Sequence, residues 1–342
     1  MRQLRQEIEE NAFAPAYIFY GQEPFLLEEA LSAVVGSFAP QGEMWNVEVL
    51  TGESATPLEA ALAAGASSFL GGRRLVLLKD TGWLEAKAAD GGGKKGAEQD
   101  MSPLLEYLAR PNPDACMILL GGQSIDKRRK LAQDVQKCGR IVEFAPLNGE
   151  RLTEWIRERF RKQGKRASKE VIDHLILSCG NNLHALAGET DKLVCHSGEN
   201  PLVGYEEARL AVSQSSLSSI FSLVDAVCAK DGRLAVSLLR RMLRQGEPAQ
   251  RILALLARQI HNMMAAQDMQ KQGLANGAIM KELGIQFSFI IERLLAYSRL
   301  FTPKEMLAAL ELLLAADRSS KSGQARPEEA LELAILRICF AA

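Results

Sequence analysis

Tyr17-Ile18-Phe19-Tyr20-Gly21-Gln22-Glu23-Pro24-Phe25-Leu26-Leu27 is the stretch whose reading decides the fold. A short apolar run ends in glycine, a proline stands in the position of a first helical turn, and Leu26, Leu27, Ala30 and Leu31 follow at helical spacing. This is the pattern of a buried strand, a tight turn and an opening helix. It is also the architectural position of a phosphate-binding loop. The working form of that loop, G-x-x-x-x-G-K-[ST], surrounds phosphates with backbone N–H groups and a lysine and holds Mg²⁺ on a hydroxyl. The turn Gly21-Gln22-Glu23-Pro24 carries no lysine and no following serine or threonine. It sets a carboxylate where a phosphate would sit, and Pro24 removes an N–H donor. The stretch reads as a nucleotide-binding architecture without nucleotide chemistry, so no cofactor is expected.

Working outward, Met44 to Leu50 alternates apolar and polar residues as a strand near a sheet edge would. Pro57 opens a helix to about Ala64, and Leu75 to Asp80 is a strand apolar on both faces, as in a covered parallel sheet. A helix over 103–109, a strand over 116–120, a helix over 127–137 and a strand over 141–144 complete a β-α alternation. That alternation implies a parallel sheet with helices on both faces. Residues 86–100, rich in Gly, Lys and Ala, read as a mobile excursion. Gly91 and Gly96 stand at phosphate-loop separation there, but Ala97 and Glu98 follow and no strand precedes, so no site is expected.

From Asn148 the strand signals vanish. Helices are expected at about 149–163, 168–179, 182–196 and 204–213, then a polar linker, Ser213-Gln214-Ser215-Ser216. Beyond it lies an all-α bundle of six or seven helices, in which Thr302-Pro303-Lys304-Glu305 forms a capping box and Pro327 opens the last helix. The expected class is α/β plus all-α, in three domains: 1–146, 147–213 and 214–342.

A chain of 342 residues with 47% apolar residues can form two or three cores. Its net charge of -1 provides no global attraction to nucleic acid or membrane, so any such contact must be local. There is no signal-peptide segment and no run of about 18 apolar residues, which predicts a cytoplasmic protein without a membrane partner. The 6 cysteines form no CxxC pair and the 4 histidines show no ligand spacing, so no metal site is expected.

Two stretches remain as candidate sites. In Ser67-Ser68-Phe69-Leu70-Gly71-Gly72-Arg73-Arg74, two large apolar residues sit in a loop between serines and glycines, although loops normally face solvent. Either Phe69 and Leu70 enter a partner's pocket, contributing roughly 3–6 kcal/mol before association costs, or they begin the next strand and join the domain's own core. Lys127-Arg128-Arg129-Lys130 is a basic run at a helix start. It either tracks phosphates or is a solvated face.

The order of a β/α domain, a small helical domain and a helical bundle resembles AAA+ clamp-loader subunits, most closely the delta-subunit family of bacterial DNA polymerase III. The resemblance rests on residues 17–27, on Ser68 to Arg74, on Gly180-Asn181-Asn182-Leu183-His184-Ala185-Leu186 with Asp191-Lys192-Leu193, and on Ser320-Lys321-Ser322-Gly323. It spans essentially the whole chain. It implies an AAA+-like β/α domain that does not hydrolyse ATP, a helical lid and a collar. The chain would have no catalytic site of its own and would be a non-catalytic subunit of a DNA-directed DNA polymerase holoenzyme. The expected collar assembly is a hetero-pentamer with gamma/tau ATPase and delta-prime subunits. The Ser-Arg-Cys finger motif and the CxxC zinc module of those siblings are absent from this chain. The resemblance further implies that Phe69 and Leu70 bind and open the ring-shaped β sliding clamp, with Arg73 and Arg74 facing its acidic rim. The basic run at 127–130 would meet primed DNA inside the assembled loader.

Overall fold

The computed structural model describes residues 2–39, 44–52, 55–68, 71–85, 100–212 and 216–340. They divide into two compact units, Met1–Pro146 and Leu147–Ala342.

The first unit begins with α1 (Arg2–Glu9), which the sequence reading missed, followed by β1 (Ala16–Gly21) and α2 (Pro24–Phe38). Then come a 3-10 turn (Met44–Asn46), β2 (Val47–Thr51), α3 (Pro57–Gly65), β3 (Arg74–Lys79), α4 (Ser102–Ala109), β4 (Ala115–Leu120), α5 (Lys130–Cys138) and β5 (Arg140–Phe144). The five strands form one parallel sheet in the order β2-β3-β4-β1-β5. β1 is a central strand, and its side chains alternate between two cores. Ile18 and Tyr20 join Val76, Leu78, Met117 and Leu119 beneath residues of α3, α4 and α5 such as Ala60, Leu104 and Val135. On the other face Tyr17 and Phe19 form an aromatic row, Phe19 meeting Phe144 edge-on at 5.2 Å. α3 starts at a capping box, in which Thr56 Oγ1 accepts the Glu59 N–H at 3.1 Å and a Glu59 carboxylate oxygen accepts the Thr56 N–H at 2.9 Å.

α1 exists because one of its charges is buried. Glu7 accepts the Tyr17 hydroxyl at 2.7 Å and pairs with Arg140, so the helix closes over the amino end of β1. A charged segment of this length has weak intrinsic helicity, and this contact holds it.

The second unit opens with α6 (Glu150–Lys162), α7 (Lys169–Cys179), α8 (Leu183–His196) and α9 (Tyr205–Ala211). The sequence reading placed no strands here. The structure corrects this with β6 (Arg166–Ala167) and β7 (Leu202–Val203), a parallel pair. Strands of two residues are too short to show a period. Arg159 of α6 grips Asp191 of α8 with two hydrogen bonds, the shorter 2.7 Å.

Seven helices follow: α10 (Ser216–Cys228), α11 (Gly232–Arg244), α12 (Ala249–Lys271), α13 (Asn276–Glu282), α14 (Ser288–Ser298), α15 (Pro303–Lys321) and α16 (Pro327–Phe340). Their apolar stripes meet in one core that includes Leu223, Leu239, Ile252, Leu256, Ile291, Leu313 and Ile335. The expected capping box is present: Thr302 Oγ1 accepts the Glu305 N–H at 3.2 Å. Asn181, beyond α7, donates to Gln286 Oε1 at 3.0 Å, tying the two helical groups together. Of the expected linker, residues 213–215 lie outside the described residues, and Ser216 opens α10.

Candidate functional site

The two ends of the parallel sheet carry the two candidate features. The turn after Gly21 leaves the carboxyl end of β1, the end at which open α/β sheets bind ligands. Loop 66–73 enters the amino end of β3.

At the carboxyl end, two amides of the turn are occupied by backbone. The Gly21 N–H donates to the Gly122 carbonyl at 3.1 Å, the Glu23 N–H donates to the Phe144 carbonyl at 3.0 Å, and Pro24, the first residue of α2, has none. Gly21 takes φ +148°, and a Cβ there would lie 2.1 Å from the Phe144 carbonyl oxygen. The turn is thus sealed against β5.

Next to this turn, the Tyr20 hydroxyl donates to Glu143 at 2.6 Å, and Lys127 lies 5.3 Å from the centre of the Tyr20 ring. Burial, then the bond to Glu143, raises the Tyr20 phenol above its ordinary value. The bond to Tyr20 is the main influence raising Lys127.

The basic run begins before the helix, not within it. Lys127, Arg128 and Arg129 form the approach to α5, which starts at Lys130. Asp126 causes the break, because its Oδ1 accepts both the Arg128 N–H and the Arg128 Nε at 3.0 Å. Arg129 donates to the Trp83 carbonyl at 2.8 Å. Lys127, Arg128 and Lys130 are exposed. The four expected phosphate contacts therefore divide into one cation held by backbone and three on the surface.

At the amino end, loop 66–73 has a hydrogen-bonded base. The Ser68 hydroxyl lies 2.6 Å from Asn46 Oδ1 and 2.8 Å from the Gly71 carbonyl, and Asn46 Nδ2 donates to that same carbonyl at 3.3 Å. Gly71 and Gly72 sit at φ +81° and +83°, a left-handed backbone that glycine adopts without a Cβ penalty. Phe69 and Leu70 themselves lie outside the described residues. The two arginines after them both have intramolecular partners. Arg73 donates to the Phe13 carbonyl at 2.9 Å and its guanidinium lies 5.9 Å from the ring centres of both Phe13 and Phe38. Arg74 pairs with Glu48 of the edge strand.

Asn46 is the residue that sequence reasoning missed, having been read as part of a strand. The adjacent apolar residues Met44 and Trp45 break strand alternation, and that off-period pair was the available signal. Among the described residues no group of three or more His, Cys, Asp or Glu is placed to hold a metal, and no helix is long and apolar enough to cross a membrane.

Comparison with known proteins adds the lineage. Residues 17–145 match the family model "DNA polymerase III, delta subunit", and residues 218–338 match "DNA polymerase III delta subunit, C-terminal domain". The chain is 26% identical over 327 residues to DNA polymerase III subunit delta of Bacillus subtilis, covering 95% of this chain and 92% of that one. It is 22% identical to a probable DNA polymerase III subunit delta of Aquifex aeolicus, covering 89% of this chain and 85% of that one. Its fold matches the solved DNA clamp loader delta protein of Bacillus subtilis over 99% of both chains, with a TM-score of 0.60 at 24% identity. The architecture is that of an AAA+-like β/α domain joined to all-α structure. A sheet unit and a helical unit each matching the same family leave one conclusion: the chain belongs to the delta-subunit family of DNA polymerase III, a clamp-loader component of the polymerase holoenzyme.

Proposed function

We propose that the chain binds the β sliding clamp through Phe69 and Leu70, opens the ring and helps place it on primed DNA. In this reading it works in the cytoplasm beside gamma/tau ATPase and delta-prime subunits. Residues 147–213 form the lid, and residues 214–342 form the collar through which the five subunits associate. It hydrolyses no nucleotide itself. The occupied amides of Gly21 and Glu23 support that part.

The observation that carries the proposal is the closed base of loop 66–73. A loop whose ends are fixed by Ser68, Asn46 and Gly71 meets a partner at a lower ordering cost than a free one. Arg73 and Arg74 then serve the interface by anchoring the strand behind the loop, since each is bound within its own unit. Binding alone does not open a ring. A partner shifts an equilibrium only by its differential affinity for the two states, so the surface must fit the clamp best once its subunit interface is sprung.

Co-purification tests the reading. The wild-type chain should retain a bacterial sliding clamp, and the Phe69→Ala/Leu70→Ala variant should not, with an unchanged circular dichroism spectrum. Loss of folded signal in the variant would instead assign the two residues to the core.

A further inference from the structure

We infer that Asn148-Gly149 is a self-modifying site, at which the asparagine loses its amide to water through a succinimide, and that the Asn181 side chain promotes the step. An asparagine followed by glycine is a labile pair, because glycine has no Cβ to shield its nitrogen from the asparagine carboxamide. The chain holds two such pairs, Asn148-Gly149 and Asn276-Gly277. Their surroundings differ. Asn276 opens α13 and is exposed together with Gly277. Asn148 is exposed as well, but its side-chain oxygen accepts a hydrogen bond from Asn181 Nδ2, which also donates to Gln286 Oε1 at 3.0 Å. Three segments far apart in the chain thus meet at one carboxamide: the approach to α6, the turn after α7 and the turn before α14.

The step uses only the chain and water. The Gly149 N–H gives its proton to solvent, and its nitrogen attacks Cγ of Asn148. A C–N bond closes the five-membered ring, the bond from Cγ to Nδ2 breaks, and the nitrogen leaves as ammonia with a proton from water. Water then opens the ring at either carbonyl, leaving aspartate or isoaspartate at 148. Two features of the site favour attack. Negative charge develops on Asn148 Oδ1, where the Asn181 N–H already donates, as a donor aimed at a developing oxyanion does. Gly149 is the N-cap of α6, so that charge also lies at the positive end of the helix. Among the described residues the Gly149 N–H has no acceptor, so no internal bond must break before it reacts. The product would disturb the junction. Aspartate lacks the second amide, and isoaspartate adds a carbon to the main chain beside a contact with no slack, since a Cβ on Gly149 would lie 3.3 Å from the Gln286 carbonyl oxygen. The tie between α6, α7 and α14 therefore loosens irreversibly as the protein ages.

The test uses the full-length chain, held folded at mildly alkaline pH and, in parallel, unfolded in urea. Tryptic peptides 141–151 and 272–281 each carry one of the two pairs, and mass spectrometry follows their gain of one dalton. Methylation by an isoaspartyl methyltransferase identifies the isoaspartate product. In the folded chain, position 148 should convert about fivefold or more faster than position 276. In urea the two rates should converge. Asn181→Ala should remove the folded-state advantage of position 148. Gln286→Ala loosens the same junction but leaves the Asn181 donor on Asn148, so it should keep the advantage. A peptide 141–151 that converts in urea and stays unchanged in the folded chain would show that the fold protects the pair, and overturns the inference. An undiminished rate in Asn181→Ala, or equal losses in Asn181→Ala and Gln286→Ala, overturns the role given to Asn181.

Discussion

The carbonyl oxygen of Phe144 occupies the space a side chain on Gly21 would need, 2.1 Å from an ideal Cβ. The same oxygen accepts the Glu23 N–H at 3.0 Å, so the end of β5 closes this turn. Gly21→Ala should therefore destabilise the chain by roughly 2–4 kcal/mol, because backbone must move. Gly36, where a Cβ meets nothing within 4 Å, is the control. Gly36→Ala lies inside α2 and should be neutral or stabilising by up to about 1 kcal/mol. Urea unfolding midpoints of the two variants check the contrast.

The same closure predicts the outcome with nucleotide. Titration of the purified chain with Mg²⁺·ATP should produce no saturable heat or fluorescence change at millimolar concentration. The Gly21 and Glu23 amides of the turn already donate to Gly122 and Phe144, and the turn carries no lysine. A stoichiometric binding curve would show that an unrecognised phosphate site exists.

The base of loop 66–73 makes Asn46 a positioning residue. Asn46→Ala removes both the acceptor for Ser68 and the donor to Gly71. Clamp affinity should fall about three- to tenfold through a freer loop, with stability changed by less than about 1 kcal/mol. Asn46→Asp keeps the acceptor and loses the donor, and should fall between wild type and alanine. Surface plasmon resonance on immobilised clamp should place the loss mainly in the dissociation rate.

The basic approach to α5 makes a graded prediction. Lys127 is drawn over Tyr20, Arg128 is paired with Asp126 and Arg129 is held by the Trp83 carbonyl, so fewer than four cations are available to phosphates. Replacing all four by alanine should reduce the log–log salt slope of primed-DNA binding by the assembled loader by about 1–3. An unchanged slope would make the run a solvated face.

Much of the sheet unit was legible because its strands are continuous apolar runs buried on both faces, as in β1, β3 and β4. Local helix signals carried equally well: Pro24, Pro57 and Pro303 each stand at a helix start. What was illegible depended on distant partners. α1 is held by the contacts of Glu7 with Tyr17 and Arg140, and the latter is 133 positions away. Arg73 reads as a free charge until Phe13 and Phe38 are seen beside it. Asn46 has meaning only once the turn before β2 lies against the loop before β3. A sequence pattern reports which face of an element is apolar, whereas the closed base of a loop is a relation between two elements.

The most direct test is ring release. Sliding clamp is assembled on nicked circular DNA, the purified chain is added in excess, and clamp remaining on DNA is followed by gel filtration. The wild-type chain should strip the ring from the circle without ATP or sibling subunits, and Phe69→Ala/Leu70→Ala should leave it in place. Release by the double variant at the wild-type rate, with its fold intact, would contradict the assignment of ring opening to this loop.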